Sequence, residues 1–213
     1  MDKQLFWDIL DQKRIEILPL FKSFKDGFYL AGGTALALQL GHRDSVDFDF
    51  FSEKSFSTET LTQKVEQVFK NHKIVKIQEE KNTLTFVVDD TIKISFFAYP
   101  YKIVTSLLDE DNFQMASVED IGIMKLSAIT SRSVLKDYVD LYFIFHQINI
   151  ENILSLASKK FPSIDINLIL KSLVYFDDVQ EEPIIFKHDK NINFESIKKY
   201  LSKTVKNYLK NNN

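Results

Sequence analysis

The sequence predicts an α+β fold: a mixed sheet flanked by helices, followed by a C-terminal helical region. Three observations carry this expectation. Between residues 28 and 99, short apolar runs recur with the two-residue period of strands, separated by turn formers such as Gly, Asn and Asp. Segments of helical period stand between those runs. From Ser117 onward the pattern is helical. The division falls at residue 115, giving an α/β core over 1–115 and a helical region over 116–213 that completes the site.

Taken in order, residues 3–22 read as mainly helical. Phe6, Ile9, Leu10, Ile17 and Leu18 form an imperfect apolar stripe, and Pro19 breaks it. Asp26-Gly27 is a turn. Residues 29–31 form the first strand and end at Gly32-Gly33. Residues 34–40 form a short helix stopped by Gly41, which is free to take the left-handed conformation. Residues 46–51 are the second strand. Ser57 caps a helix reaching about Lys70, with Leu61, Val65, Val68 and Phe69 inward. Strands at 74–78, 83–88 and 92–99 follow, with turns at Lys81-Asn82 and Asp89-Asp90, and Pro100 ends the last. The expected result is a sheet of about five strands with helices on one side. Ser117, with acid in the next turn, opens a helix to about Ser131. A second helix runs from near Ser133 to about Gln147. Helices near 151–160, 163–175 and 195–210 complete the chain, with breaks at Pro162 and Pro183.

The bulk properties narrow the function classes. A chain of 213 residues holds one domain with a full core, or a domain with a small helical subdomain. No apolar run reaches the ~20 residues of a membrane span, so no membrane partner is expected. The N-terminus opens no secretory signal, and a cytoplasmic location is the expectation. The absence of cysteine excludes a disulfide framework, a thiolate zinc site and a cysteine nucleophile. A net charge of -3 argues against a dedicated non-specific nucleic-acid binder, though it leaves room for a local basic face. The 19 Phe and 8 Tyr are read mostly as core, and none is assigned to base stacking.

The chemistry concentrates in residues 28–51, FYLAGGTALALQLGHRDSVDFDFF. Val46, Phe48 and Phe50 alternate with Asp47 and Asp49. On a strand the two carboxylates project from one face, roughly 6.5–7 Å apart along the backbone. Such a pair is tolerated when a cation sits between its members. Oxygen-only ligation suits Mg²⁺, which takes one or two carboxylates and completes its shell with water and phosphates. Ahead of them, Gly32-Gly33-Thr34 opens a helix where backbone N–H groups can approach a phosphate. Phosphate cradle plus metal carboxylates is a phosphoryl- or nucleotidyl-transfer constellation.

Further along, Lys125 has Ile121, Gly122, Ala128 and Ile129 as same-face neighbours, a poor place for a bare ammonium. Either it snorkels to water or it faces a pocket holding an anion, which a nucleoside triphosphate would supply. Arg132 continues the stripe. Asp137 and Asp140 then fall on one helical face, and Lys136 precedes the first of them.

The first stretch resembles the signature of polymerase-beta-like nucleotidyltransferases. More narrowly, Gly32-Gly33-Thr34-Ala35-Leu36-Ala37 with Arg43-x-Ser45-x-Asp47-Phe48-Asp49-Phe50-Phe51 resembles the AbiEii/AbiGii-type nucleotidyltransferase toxins of abortive-infection systems. Lys125, Arg132, Lys136-Asp137 and Asp140 are similar to that family's second signature. The resemblance spans roughly residues 28–145. It implies a polymerase-beta-like fold and a Mg²⁺-dependent enzyme that moves NMP from an NTP to an acceptor hydroxyl, with a tRNA 3′ end as one acceptor. It implies metal ligation by Asp47 and Asp49, and nucleotide contacts from Gly32, Gly33, Thr34, Arg43, Ser45, Lys125 and Arg132. It places Asp137 near the attacking hydroxyl. A cognate antitoxin is the implied protein partner in a toxin–antitoxin system.

One departure stands out. Ser95 occupies the strand position where many such enzymes carry a third metal carboxylate, and Lys93 points the same way. One metal then suffices, Asp137 contributes, or the site is weak. Two rival readings follow: a non-catalytic protein that binds nucleotide or antitoxin, and a transferase acting on a small-molecule or protein hydroxyl. The C-terminal lysines 198, 199, 203, 206 and 210 are read as a solvated face, with an RNA-backbone contact as the alternative.

Overall fold

A computed structural model describes residues 4–180 and 182–212. Residues 1–3, where the sequence places the chain start and the beginning of its first helix, lie outside the described residues, as does the terminal Asn213. The N-terminal stretch is less regular than its stripe suggests. A short α1 (Gln12–Ile17) is flanked by 3-10 segments at Trp7–Ile9 and Leu18–Phe24, the second with Pro19 in its first turn. Strand β1 (Tyr29–Ala31) leads into α2 (Gly32–Leu40), which Gly41 ends at φ 58°. After β2 (Phe48–Ser52) comes α3 (Thr58–Val68), whose first turn is capped by the Ser57 hydroxyl accepting from the Thr60 N–H.

Strands β3 (Ile74–Glu80), β4 (Thr83–Val88) and β5 (Ile92–Ala98) form a meander. Asn82, Asp89 and Asp90 take the positive φ that its two tight turns require. Two further strands, β6 (Leu108–Asp109) and β7 (Gln114–Met115), are too short for any period to announce. The sheet therefore has seven strands in the order β3-β4-β5-β2-β1-β7-β6. It is mixed, with β2 parallel to β5, β1 parallel to β7 and the other neighbours antiparallel. Helices α4 (Val118–Ala128), α5 (Leu135–Phe145), α6 (Ile150–Lys160), α7 (Ile166–Val174) and α8 (Phe194–Asn211) follow. Among the described residues no helix is long and apolar enough to cross a membrane.

Residue alternation on β2 and β5 divides the two faces of the sheet. Phe48, Phe50 and Phe96 are sealed in the core, where Phe21 meets Phe48 and Phe50 edge-on at 4.8 and 4.9 Å. The opposite face carries Asp49, Phe51 and Phe97 and looks into a cavity whose far wall includes α4. Helical segments thus meet both faces of the sheet, not one. The sequence pattern hides this because the second layer is donated from residues beyond 117, far along the chain.

Candidate active site

The cavity measures about 780 Å³ and is bordered by several separate parts of the chain. The bend between β1 and α2 supplies Gly32 and Gly33, β2 and its approach supply Ser45, Asp47 and Asp49, and the α4–α5 corner supplies Lys125, Arg132 and Asp137. Pro183, Ile184 and Ile185, on the strap between α7 and α8, close another side. The strap is pinned by the Asp44 N–H donating to the Ile185 carbonyl at 2.8 Å and by Lys136–Glu182 at 2.6 Å. Sequence reasoning assigned no function to that strap, and Pro183 alone marked it.

The glycines are needed for close approach. Gly32 sits at φ 72°, and a Cβ there would lie 3.2 Å from the Asp49 carboxylate. A Cβ on Gly33 would meet the Arg43 guanidinium at 2.8 Å and the Ser45 hydroxyl at 2.9 Å. The first turn of α2 has no side-chain cap, so its N–H groups at the cavity edge are available to an anion.

Asp49 lies opposite Ser95 in the parallel β2–β5 register. Burial pushes the Asp49 carboxyl above its ordinary value, and the neighbouring Asp47 charge adds to the rise. Lys93 stands 3.7 Å from Asp47 in a half-exposed pair. Among the described residues no group of three or more His, Asp or Glu gathers as a ready-made metal cage. A raised carboxyl beside a second carboxylate, all-oxygen and at the mouth of a glycine bend, fits an ion that takes two protein ligands and fills its shell from substrate.

On the other wall an ion-pair cluster is built around Asp140, which is fully buried. Arg43 donates to it from Nε at 2.7 Å and Nη2 at 2.8 Å, and Lys125 Nζ lies 2.6 Å from its second oxygen. His42 Nε2 is 2.8 Å from the first. Burial alone would raise the Asp140 carboxyl, but the Arg43 and Lys125 charges hold it well below the usual range. Burial lowers the His42 pKa, against the opposing pull of its hydrogen bond to Asp140. Lys125 is also 2.7 Å from Asp137, which accepts from Arg132 Nε at 2.8 Å. Three cations meet two carboxylates in this cluster. The surplus positive charge reaches the cavity through Arg132, whose side chain is 59% exposed.

Most of the expected site residues converge here, with three differences in role. Thr34 is buried, donating to the Asp47 carbonyl and lying 2.9 Å from the Ser45 hydroxyl. It braces the approach to β2 and does not border the cavity. Arg43 reaches the wall, but its guanidinium is spent on Asp140 and, at 2.8 Å, on the Asp44 carbonyl. All three guanidinium nitrogens therefore already have protein partners. The anion beside Lys125 is supplied by Asp137 and Asp140 before any nucleotide arrives. Sequence reasoning missed His42 altogether and carried Asp140 only as a weaker part of the second signature, with no role of its own. Asp140 falls on the buried face of α5, whereas His42 lies in the loop after α2, where no period marks it.

Comparison with known proteins places the chain as a whole. The model of the family described as Nucleotidyl transferase AbiEii toxin, Type IV TA system, matches residues 20–207. An uncharacterized protein of Aquifex aeolicus (strain VF5) is 36% identical over 190 residues, covering 86% of this chain and 89% of that one. Among solved structures, MenT4, a nucleotidyltransferase toxin from Mycobacterium tuberculosis, superposes with a TM-score of 0.62 at 13% identity, over 90% of this chain and 81% of its own. JHP933 from Helicobacter pylori gives 0.58 at 20% identity, over 95% and 94%. At these identities the two structures speak for a shared fold.

Proposed function

This chain belongs to the AbiEii nucleotidyl transferase toxin family, and from that premise we propose a Mg²⁺-dependent transfer of NMP from an NTP to an acceptor hydroxyl at the tRNA 3′ end. It is a nucleotidyltransferase of a toxin family. The metal, the acceptor and the residue roles are our reading. Its main support is the meeting of an uncapped diglycine helix start, a carboxylate pair and a lysine–arginine wall in one cavity.

In this reading Asp47 and Asp49 hold Mg²⁺, which when bound neutralises the pair and polarises the phosphates. The N–H groups at Gly32 and Gly33 and the Ser45 hydroxyl bind the phosphate chain. Lys125 and Arg132 stabilise the charge that grows as the acceptor hydroxyl gives its proton to solvent, its oxygen bonds to the α-phosphorus, and pyrophosphate leaves with the electron pair of the broken P–O bond. Asp137 tethers both cations, one oxygen toward Lys125 and one toward Arg132. Asp140 and Arg43 position Lys125 from below.

The decisive assay incubates the protein with each labelled NTP, Mg²⁺ and total RNA. Label is expected in tRNA, and Asp47→Ala should lower transfer by on the order of 10²–10³ or more with folding intact. Undiminished transfer by Asp47→Ala would overturn the site assignment. Label on a protein or small molecule, with none on RNA, would move the acceptor to the other hydroxyl class.

A further inference from the structure

Phosphates and ion leave one end of the cavity without an occupant. The β2–β5 register sets Asp49 beside Ser95 and Phe51 beside Phe97. Residues two apart on a strand share a face, so the floor passes from carboxylate to aromatic ring in one repeat, roughly 6.5–7 Å. Tyr99 continues the row just beyond β5. The Phe51 and Phe97 rings lie 5.3 Å apart at 33°, and Tyr99 meets Phe51 edge-on at 5.8 Å. All three are partly open, whereas Phe48, Phe50 and Phe96 on the other face are sealed. Met124 of α4 borders the same cavity, also partly open. Open rings inside a charged cavity leave apolar surface in water that a flat apolar partner would cover.

We propose that this shelf is the nucleobase site of the incoming nucleoside triphosphate, with the base lying on Phe97 and Phe51. The inference rests on the transfer reading above, since the phosphates must sit at Gly32 and Gly33 for the base to reach the shelf. Ring faces are indifferent to which base they meet, because every base has a π-face. The shelf therefore selects a nucleotide over a bare phosphate chain, and discriminates weakly among the four bases.

Equilibrium binding tests this with two kinds of probe, the four NTPs and inorganic triphosphate, each with Mg²⁺. The wild-type protein should bind each NTP more tightly than inorganic triphosphate. Phe97→Leu keeps apolar volume but removes the ring. It should weaken every NTP by about tenfold, within the range that base–aromatic stacking supplies, and leave inorganic triphosphate unchanged. Phe51→Leu should give the same pattern, and a melting curve establishes that each variant is folded. Lys125→Met, in contrast, should weaken both kinds of probe. NTP affinity unchanged in folded Phe97→Leu and Phe51→Leu, or a parallel loss for both probes, would overturn the shelf while leaving the phosphate site standing. If the wild-type protein binds neither probe, the transfer reading fails and the shelf with it.

Discussion

Replacing Asp140 by Asn would test the ion-pair cluster behind Lys125. The carboxylate is fully buried and accepts from Arg43 twice, at 2.7 and 2.8 Å, with Lys125 at 2.6 Å and His42 at 2.8 Å. Asparagine keeps the shape but loses the charge, and its NH₂ must face one of these donors. Lys125 retains Asp137, so the stranded cation is Arg43, only 2% exposed. Breaking one side of a buried pair costs about 3–5 kcal/mol. In a chain of this length each kcal/mol moves Tm by roughly 2–4 °C, so Tm should fall by roughly 6–20 °C. The pH dependence provides a second check. The folded-state pKa of Asp140 lies below the ordinary 3.8. Its stabilisation is then fully present above that ordinary value and is lost as pH falls toward the folded value. The stability gap between wild type and Asp140→Asn should be complete at pH 7 and narrow below about pH 4. Urea melts at several pH values measure it. A difference under about 0.5 kcal/mol at pH 7, the size of an ordinary surface change, or a gap of constant size down to acid pH, would refute the account.

Three further outcomes follow from the other wall. Ser95→Asp places a third acid beside Asp49 in a buried position; it should lower Tm in chelator, and Mg²⁺ should restore more of that loss than it adds to wild type, read by thermal melts with and without metal. Asp49→Asn removes a carboxyl whose ionisation burial opposes, so the metal-free protein at pH 7 should be at least as stable as wild type while any Mg²⁺-dependent rise in Tm and transfer activity disappear. Gly33→Ala drives a methyl into the Arg43 guanidinium and the Ser45 hydroxyl, and overpacking of this kind costs about 1–3 kcal/mol, so urea melts should show that loss together with reduced NTP binding.

What could be read from the chain is what neighbouring residues decide. The diglycine bend, the Gly41 stop and the Ser57 cap each depend on a few adjacent positions, and each recurs in the structure; the expected strand over 46–51 instead starts at Phe48, leaving Asp47 and the exposed Val46 on its approach. Strands β6 and β7 have two residues each and so carry no period. The Arg43–Asp140 pair joins residues 97 apart, and no local pattern connects them. Arg43 therefore read as a ligand for substrate when its partner was a distant helix. The aromatic shelf was hidden in the same way. Phe51 and Phe97 look like any other rings until the parallel register sets them side by side.

Lys125 brings both kinds of reading together. Its small, apolar neighbours on α4 called for an anion, and that much was local. Which anion was not, since Asp137 and Asp140 reach it only once α5 packs against α4. The lysine is thus ordered before substrate arrives. A nucleotide that enters has to share an ammonium already held by two carboxylates, which weakens ground-state attraction to the phosphates. It also removes the need to reorganise that charge as the transition state forms, which is where a fixed cation contributes most to rate. Loosening the tether should then separate binding from turnover. Asp137→Asn, which frees Lys125 from one partner, is expected to hold or tighten NTP affinity while transfer falls, and a parallel drop in both would mean that the lysine was never preorganised by its own acids.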